Sequence, residues 1–392
     1  MSSDEIEVSI VMPCLDEAET IAACIDKAKA AFEANGIIGE IVVGDNGSTD
    51  GSQEIAIAHG AVVTPVPTRG YGAAIMGAIA LARGRYLIMG DADDSYDYGE
   101  ISKFVDKLRQ GAQFVIGCRF PGGGGRIMPG AMPFLHRWLG TPVLTLLSNL
   151  FFGTRINDVN CGMRGFTRET FDKMALRSPG MEFASEMVMK AALMDIPTDQ
   201  VPITLHPDGR SREPHLRTWR DGWRHLRFML LYSPRWLFII PGSILFLIGI
   251  LGVLALSTGR VHVGDIVFST NTHIVSAMVT LLGFQTVSLG LFAKSFAIDR
   301  GLLPPGRSTD RILRMMGLEH TVVAGLGVLA AGVALLVWAV SIWGDQEFGA
   351  LDPYSVPRIV IPSVTLIVLG AQVIFTGFLL GLLGLHRPER SE

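Results

Sequence analysis

Residues 85–94 read Arg-Tyr-Leu-Ile-Met-Gly-Asp-Ala-Asp-Asp, a short apolar strand followed at once by carboxylates at positions 91 and 93. Carboxylates two residues apart, just past the end of a buried strand, can bind one hard divalent cation through oxygen. A cation held in this way can bind a diphosphate and stabilise it as a leaving group. The pattern predicts Asp91 and Asp93 as metal ligands in a diphosphate site.

The residues around this stretch alternate between strand and helix patterns. Apolar strands are predicted at 8–13, 40–44, 61–66, 85–90 and 113–117, and helices at 19–35, from the 45–51 turn to 59, 71–83 and 98–110. This alternation predicts a parallel sheet with helices on both faces. Ligands of such sheets bind beyond the carboxyl ends of the strands, where Pro13–Glu17, Asp45, Arg69 and Asp91–Asp93 lie.

The composition changes near residue 236, which the overall values of 49 % hydrophobic and 18 % charged residues conceal. Four apolar stretches without a charged residue follow, at 236–257, 274–292, 322–343 and 359–383. Each has roughly the 20 residues that a helix needs to cross a bilayer. The C-terminal part, 236–392, is therefore predicted to be a domain of four transmembrane helices.

The distribution of basic residues predicts the orientation of these helices. The 258–272 and 344–358 loops have one arginine each, whereas the 293–320 loop and the C-terminal tail hold Lys294, Arg300, Arg307, Arg311, Arg314, Arg387 and Arg390. Positive residues favour the cytoplasmic side. The start of the chain is acidic and has no signal-peptide pattern. We expect an integral protein of a bacterial-type inner membrane, with the N-terminal domain and both termini in the cytoplasm.

The segment that joins the two parts has an amphipathic pattern. Over 217–232, helical spacing puts Arg217, Arg220, Arg224 and Arg227 on one side and Trp219, Trp223, Leu226 and Leu230 on another. This pattern is typical of a helix lying on an anionic membrane surface, although an ordinary basic linker helix is the alternative. The predicted organisation is a domain at 1–215, an interfacial linker at 216–235 and the membrane domain.

Charge and cysteine content exclude some classes of function. The net charge of −4 comes without a basic patch of the kind that binds nucleic acid, so no nucleic-acid partner is expected. The four cysteines, Cys14, Cys24, Cys118 and Cys161, lack metal-type spacing. We expect them to be reduced packing residues.

Four motifs give the chain a resemblance to a known family. VSIVMPCLDE (8–17), VVGDNGSTDG (42–51), GDAD (90–93) and NDVNCGMR (157–164) resemble the family 2 glycosyltransferases of the GT-A fold. More narrowly, residues 6–235 resemble the polyprenyl-phosphate hexose synthases, including dolichol-phosphate mannose synthases and bacterial undecaprenyl-phosphate glucosyltransferases. The resemblance implies a Rossmann-like, doubly wound α/β domain ahead of the α-helical membrane domain.

The resemblance also implies roles for individual residues. The nucleotide sugar would be bound by Pro13, Leu15, Glu17, Asp45, Arg69, Asp91, Ala92 and Asp93. The lipid phosphate would be bound by Arg119, Arg126, Arg210 and Arg212. The catalytic residues would be Asp93 and Asp158. Asp91 and Asp93 would hold Mg²⁺ or Mn²⁺. Asp45 and Asp158 could alternatively be cap or turn residues. Asp16, Asn46 and Ser95 depart from the family pattern of Asn, Asp and Gln.

The chemistry that fits these features is transfer of one hexose from a nucleotide diphosphate sugar to polyprenyl phosphate with inversion. UDP-glucose is the favoured donor and GDP-mannose the second. A processive polysaccharide synthase is an alternative, but Arg235-Trp236 lacks the Gln of the Gln-x-x-Arg-Trp motif. A catalytically silent nucleotide-sugar-binding scaffold is another. Gly325, Gly327 and Gly332 could let helices approach closely within one chain or in a homo-oligomer.

Overall fold

The computed structural model describes residues 6–211, 218–303 and 317–384. The chain divides into two compact units, Met1–Met229 and Leu230–Glu392. The first unit contains the α/β domain and the second contains the long apolar helices. The division falls within the predicted linker at 216–235.

The α/β domain is built on a seven-stranded sheet with the order β3-β2-β1-β4-β7-β5-β8. Its strands, in chain order, are β1 Val8–Cys14, β2 Gly39–Asp45, β3 Val62–Pro65, β4 Tyr86–Met89, β5 Phe114–Cys118, β7 Arg164–Thr167 and β8 Thr198–Pro202. A second, two-stranded sheet pairs β6 (Arg126–Ile127) with β9 (Thr204–Leu205). The five strands predicted from the sequence therefore form as expected, within one residue at each end.

The helices of this domain cover the sheet. They are α1 Ile21–Ala34, α2 Ser52–Ala58, α3 Tyr71–Leu81, α4 Ile101–Arg109, α5 Thr141–Phe152, α6 Arg168–Met174 and α7 Phe183–Leu193. All four residues of β4 and all five of β5 are buried. Continuous apolar strands of this kind occur where both faces of a parallel sheet are covered. The GT-A type of α/β fold expected from the motifs is confirmed.

One strand departs from the purely parallel sheet that the sequence predicted. β7 runs antiparallel to both of its neighbours, β4 and β5, so the sheet is mixed. Its sequence, Arg-Gly-Phe-Thr, has a single large apolar residue, Phe166, and no strand periodicity. The chain after β5 passes through the small sheet and α5 before it returns as β7, and this long return allows the opposite direction.

The apolar segment at 134–152 forms a π-helical turn, His136–Gly140, that continues into α5. Phe134, Trp138 and Leu146 are each at least 65 % exposed in the described structure. The basic segment forms α8, Thr218–Leu231. In the first unit, the His225 Nδ1 of α8 lies 2.7 Å from the Ser185 Oγ of α7. That α8 lies on a membrane surface stays a prediction.

The second unit contains α9 Ile240–Thr258, α10 Thr270–Asp299, α11 Leu318–Gly344 and α12 Pro357–Gly384. A hairpin of β10 (Val261–Val263) and β11 (Ile266–Phe268) joins α9 to α10. Among the described residues, four helical spans are long and apolar enough to cross a membrane, beginning at Arg235, Thr270, Leu318 and Pro357. The four predicted spans are confirmed, and the second extends several residues beyond its predicted limits.

Glycines allow the helices of the second unit to pack closely in pairs. A Cβ at Gly249 would lie 2.4 Å from the Thr280 nitrogen of α10, and one at Gly332 would lie 2.7 Å from the Ile367 nitrogen of α12. Gly325 is equally close to α12, whereas a Cβ at Gly327 would meet open space. Gly325 and Gly332 therefore mediate packing within one chain.

Candidate active site

Asp91 and Asp93 lie at the carboxyl end of β4, where the sequence predicted them. Both side chains are largely removed from solvent, and Asp93 is 15 % exposed. Burial, reinforced by the charge of Asp93, raises the pKa of Asp91 to about 7. Two carboxylates held this close are electrostatically unfavourable unless a cation lies between them or beside them.

Three tyrosines lie around Asp91, of which Tyr96 and Tyr98 are buried and Tyr71 is partly exposed. The Tyr71 hydroxyl donates to Asp91 Oδ1 at 2.9 Å, and the Tyr98 hydroxyl donates to the Asp91 carbonyl oxygen at 2.9 Å. The Tyr96 hydroxyl accepts from the Gly162 nitrogen at 2.8 Å. A Cβ at Gly162 would lie 3.0 Å from Asp91 Oδ2. The NDVNCGMR motif therefore reaches the Asp91 carboxylate through a glycine, because a side chain at position 162 would crowd that oxygen.

Asp93 has partners on both of its carboxylate oxygens. Oδ1 accepts from the Ser95 nitrogen at 3.1 Å and from the Ser95 hydroxyl at 2.6 Å. Oδ2 lies 2.7 Å from the Arg210 guanidinium, whose Nε is 2.9 Å from Glu17 Oε2. Ser95, which stands where the family has Gln, thus orients Asp93, and Arg210 joins two of the predicted site residues.

The loops after β1 and β2 are tied to each other. Asp16 Oδ1 accepts a hydrogen bond from the Thr49 nitrogen at 2.8 Å. In the other direction, the Glu17 nitrogen donates to Ser52 Oγ at 2.8 Å, and the Ala18 nitrogen donates to Asp50 Oδ2 at 2.9 Å. These bonds fix the segment that carries Glu17. Asp16, with a φ of 57°, is in the left-handed region that Asp and Asn tolerate better than most residues.

Asp45 is buried at the end of β2 and its carboxylate has internal partners. It accepts from the nitrogens of Gly47 and Ser48, at 2.9 and 3.1 Å, and from the Gln53 side chain at 2.7 Å. This arrangement matches the turn-forming alternative that the sequence left open. The role of Asp45 in binding the nucleotide sugar stays a prediction.

Asn46 holds the next loop, and its only distinguishing feature in the sequence was its departure from the family pattern. Its amide nitrogen donates to the carbonyl oxygens of Val66 and Thr68, at 3.1 and 3.0 Å, and its Oδ1 accepts from the Gly70 nitrogen at 2.9 Å. An aspartate could not make the two donated bonds. Arg69, predicted to bind the nucleotide sugar, is exposed in this loop.

Glycines beside Tyr71 allow another segment to pack against the site. A Cβ at Gly70, whose φ is 140°, would lie 2.2 Å from the Pro179 carbonyl oxygen, and one at Gly72 would lie 2.3 Å from that of Ser178. The same Pro179 oxygen accepts from the Ala73 nitrogen at 3.0 Å. Tyr71 is thereby held in the orientation that reaches Asp91.

Arg119 and Asp158 were predicted to bind phosphate and to act near the acceptor, and the structure pairs them with each other. The Arg119 Nε donates to Asp158 Oδ2 at 2.7 Å and its terminal nitrogen to Oδ1 at 2.8 Å. Asp158 is 1 % exposed and Arg119 is 8 % exposed. Although burial opposes the charged form, the Asp158 carboxylate raises the pKa of Arg119 above its ordinary value. The predicted roles of Arg119 in binding the lipid phosphate and of Asp158 in catalysis stay predictions.

Arg164, at the start of β7, is a structural residue that the sequence did not single out. Its fully buried guanidinium donates to the carbonyl oxygens of Cys161, Val159 and Ala184. It thereby fixes the segment that contains Asp158 and Gly162. The signal available in the sequence was its place at the end of the NDVNCGMR motif.

The remaining predicted residues are distributed as follows. Pro13 and Leu15 are partly exposed at the carboxyl end of β1, and Ala92 is buried, with its carbonyl oxygen accepting from Thr20 Oγ1 at 2.7 Å. Arg126 is exposed in β6. Arg212 lies outside the described residues.

The four cysteines are free and buried, as expected, and burial raises the pKa of Cys24 and of Cys161 to about 12.

The donor set at Asp91 and Asp93 is compatible with a hard divalent cation. Both ligands are oxygens, and Asp93 Oδ2 already attracts a positive guanidinium. Among the residues that the structure describes, no cluster of three or more His, Cys, Asp or Glu could hold a metal by itself. A metal bound here would need further oxygens, and a diphosphate can supply them.

Comparison with known proteins agrees with the fold. Residues 9–174 match the model of glycosyl transferase family 2, and residues 291–384 match the glycosyltransferase family 2 C-terminal transmembrane region. The low-salt glycan biosynthesis hexosyltransferase Agl6 of Haloferax volcanii is 41 % identical over 381 residues, which is 96 % of this chain and 89 % of that protein. The chain belongs to glycosyltransferase family 2, and it is a membrane glycosyltransferase.

Two further similarities are more distant. The dolichyl-phosphate hexose transferase of Haloferax volcanii is 27 % identical over 197 residues, or 50 % of this chain and 82 % of that protein. The crystal structure of glucosyl-3-phosphoglycerate synthase from Mycobacterium tuberculosis, in complex with Mn²⁺, UDP and glucosyl-3-phosphoglycerate, superposes with a TM-score of 0.46 and 23 % sequence identity. The superposition covers 58 % of this chain and 79 % of the synthase chain.

Proposed function

We propose that the protein transfers one hexose from a nucleotide diphosphate sugar to polyprenyl phosphate, giving a polyprenyl-phosphate hexose. The observation that carries this proposal is the Asp91–Asp93 pair at the carboxyl edge of the sheet, in a chain that also has four membrane spans. A water-soluble donor and a lipid-borne acceptor explain why one chain combines these two parts. A relative named for dolichyl-phosphate hexose transfer supports the choice of acceptor.

The donor diphosphate would lie beside Asp91 and Asp93. A Mg²⁺ or Mn²⁺ ion held by these carboxylates would neutralise the diphosphate as the nucleoside diphosphate departs. The Tyr71 hydroxyl and the two Ser95 donors orient the two carboxylates toward the position that we assign to the cation. Pro13, Leu15, Glu17 and Asp45 lie at the same edge, where the nucleoside would bind.

The acceptor needs charge neutralisation more than a strong base. A lipid monophosphate is largely dianionic at pH 7, since its second pKa is about 6. It can therefore attack the anomeric carbon directly, which inverts the configuration at that carbon. Arginine is suited to hold such a phosphate because its planar donors match two phosphate oxygens. Arg126 and Arg212 are the arginines we assign to this role, together with Arg210 once it leaves its carboxylate partners.

UDP-glucose is the favoured donor and GDP-mannose the second, on the sequence pattern alone. The catalytic domain and both chain termini would lie in the cytoplasm, where nucleotide sugars are available. This orientation follows from the distribution of basic residues between the loops.

The test is transfer of labelled sugar from a panel of UDP- and GDP-hexoses to a short polyprenyl phosphate by the purified full-length protein. We expect one donor to give a single-sugar product that extracts into chloroform, with Mg²⁺ or Mn²⁺ and not with EDTA. Asp93→Asn should lower the rate at least about a hundredfold, as expected when a charged group is lost from an active site. Transfer that is unaffected by EDTA and by this substitution would refute the metal role. Long polymeric products would instead indicate a processive synthase.

A further inference from the structure

Arg210 is an unexpected feature of the carboxylate site. Its guanidinium lies 2.7 Å from Asp93 Oδ2 and 2.9 Å from Glu17 Oε2, and its side chain is only 13 % exposed. Glu17 and Asp93 are also shielded, at 7 % and 15 % exposure. Arg210 therefore supplies a positive charge at an oxygen of Asp93 that a divalent cation would use.

The other oxygen of Asp93 offers no free alternative in this arrangement. Oδ1 already accepts two hydrogen bonds from Ser95, at 3.1 and 2.6 Å. A cation that binds Asp93 would thus approach Oδ2 and meet the guanidinium. Because the two positive charges repel each other in a shielded site, free metal binding and the Arg210 contact with Asp93 oppose each other.

The backbone around Arg210 is anchored, which leaves the side chain as the part that moves. The Gly209 nitrogen donates to the Asp93 carbonyl oxygen at 3.0 Å. On the other side, the nitrogen and hydroxyl of Ser211 donate to the Glu19 carboxylate at 2.7 and 2.6 Å. Rotation about the long side chain can withdraw the guanidinium while these backbone contacts remain.

We propose that Arg210 is the resident counter-ion of the site and selects the donor-bound metal over the free metal ion. Its guanidinium balances Glu17 and Asp93 before substrate binds, and it repels a free dication. A metal that arrives with a nucleoside diphosphate brings a compensating negative charge, and the phosphate oxygens of the bound substrates offer the displaced guanidinium new partners. This inference rests on the proposed function, because it assumes that Asp91 and Asp93 bind the metal of the donor.

The test is Mn²⁺ binding to the full-length protein in detergent, measured by electron paramagnetic resonance without any acceptor or transfer assay. We expect Arg210→Gln and Arg210→Met to bind free Mn²⁺ at least about tenfold more tightly than the wild type. Arg210→Lys, which keeps the charge, should remain within about threefold of the wild type. With UDP present, the wild type should bind Mn²⁺ at least about tenfold more tightly than without it.

Two controls make the outcome decisive. Adding Asp93→Asn to Arg210→Met should abolish the gain, which would locate the metal at Asp93, and thermal unfolding of each variant shows that it is folded. If the folded Gln or Met variant binds free Mn²⁺ no more tightly than the wild type, the counter-ion role is overturned, and the proposed transfer reaction is unaffected. Absence of Mn²⁺ binding in every variant, even with UDP, would overturn both.

Discussion

The hydroxyl of Tyr71 donates a 2.9 Å hydrogen bond to Oδ1 of Asp91, joining the start of α3 to the loop after β4. This bond stabilises the ionised form of Asp91 against the burial and the Asp93 charge that raise its pKa. Tyr71 is therefore a positioning residue for the carboxylate that we assign to the metal.

Replacing Tyr71 by Phe should weaken Mn²⁺ binding and slow transfer by about tenfold at pH 7, since a hydrogen bond to a charged group is worth about 1.5–3 kcal/mol. The defect should shrink at pH 9, where Asp91 is ionised in both proteins. The measurement is a pair of pH profiles, for metal affinity and for rate. Tyr98→Phe is the matched control, because its hydroxyl binds the Asp91 carbonyl and not the carboxylate. An equal loss at both pH values would show that Tyr71 has only a packing role.

The raised pKa of Asp91, about 7, makes the metal-free protein sensitive to pH. Because the folded state binds this proton more tightly than the unfolded chain, the stability gained is complete below about pH 4 and is lost as the pH rises through 7. The Asp91→Asn variant has a side chain that accepts hydrogen bonds and is neutral at every pH. In EDTA it should therefore melt several degrees above the wild type at pH 8 and close to it at pH 4.

Addition of Mn²⁺ with UDP at pH 8 should reverse this order, because only the wild type retains the ionised ligand. Thermal unfolding in detergent at the two pH values gives both comparisons. A variant that is less stable than the wild type in EDTA at pH 8 would contradict the assignment of the raised pKa to Asp91.

The buried pair of Arg119 and Asp158 should behave as a structural unit. Removing one partner leaves an uncompensated charge, so Arg119→Met and Asp158→Leu should each cost about 3–5 kcal/mol. The double variant should recover much of that loss. Denaturant unfolding of the three proteins measures the coupling, and the rate of transfer measured in parallel separates this role from catalysis. Full stability of an Asp158→Asn variant together with loss of transfer would instead support the catalytic role predicted from the sequence.

Close helix packing in the second unit can be tested with two glycines of the same helix. Gly332→Val should destabilise the helical unit, because the new side chain would meet the Ile367 backbone, whereas Gly327→Val should be tolerated. Overpacking of this kind typically costs about 1–3 kcal/mol. Thermal aggregation in detergent, compared at equal expression, provides the measurement. Equal behaviour of the two variants would argue against the observed pairing of α11 and α12.

The sequence predicted most of the framework because the framework depends on local patterns. β1 is largely apolar and β4 entirely so, the four membrane spans contain long uncharged stretches, and Asp91 and Asp93 closely follow their strand. β7 was missed since four residues with one large apolar side chain carry too little periodicity.

The partners of the site residues could not be predicted in the same way. Tyr71 meets Asp91, Arg119 meets Asp158 and Arg210 meets Asp93 only because the folded chain brings distant segments together. No spacing in the sequence distinguishes an arginine that binds a phosphate from one that neutralises a carboxylate. Asn46 likewise looked like a simple departure from a motif until its three hydrogen bonds were seen.

The burial of all four thiols has a practical consequence for work on this protein. Cys14, Cys24, Cys118 and Cys161 are inaccessible and remain protonated at neutral pH, so they react slowly with maleimides. The native cysteines should therefore contribute little background in thiol-labelling experiments. A single cysteine introduced at exposed Trp223 or Val267 would be the fast-reacting thiol, and a membrane-impermeant probe applied from either side would report the orientation directly.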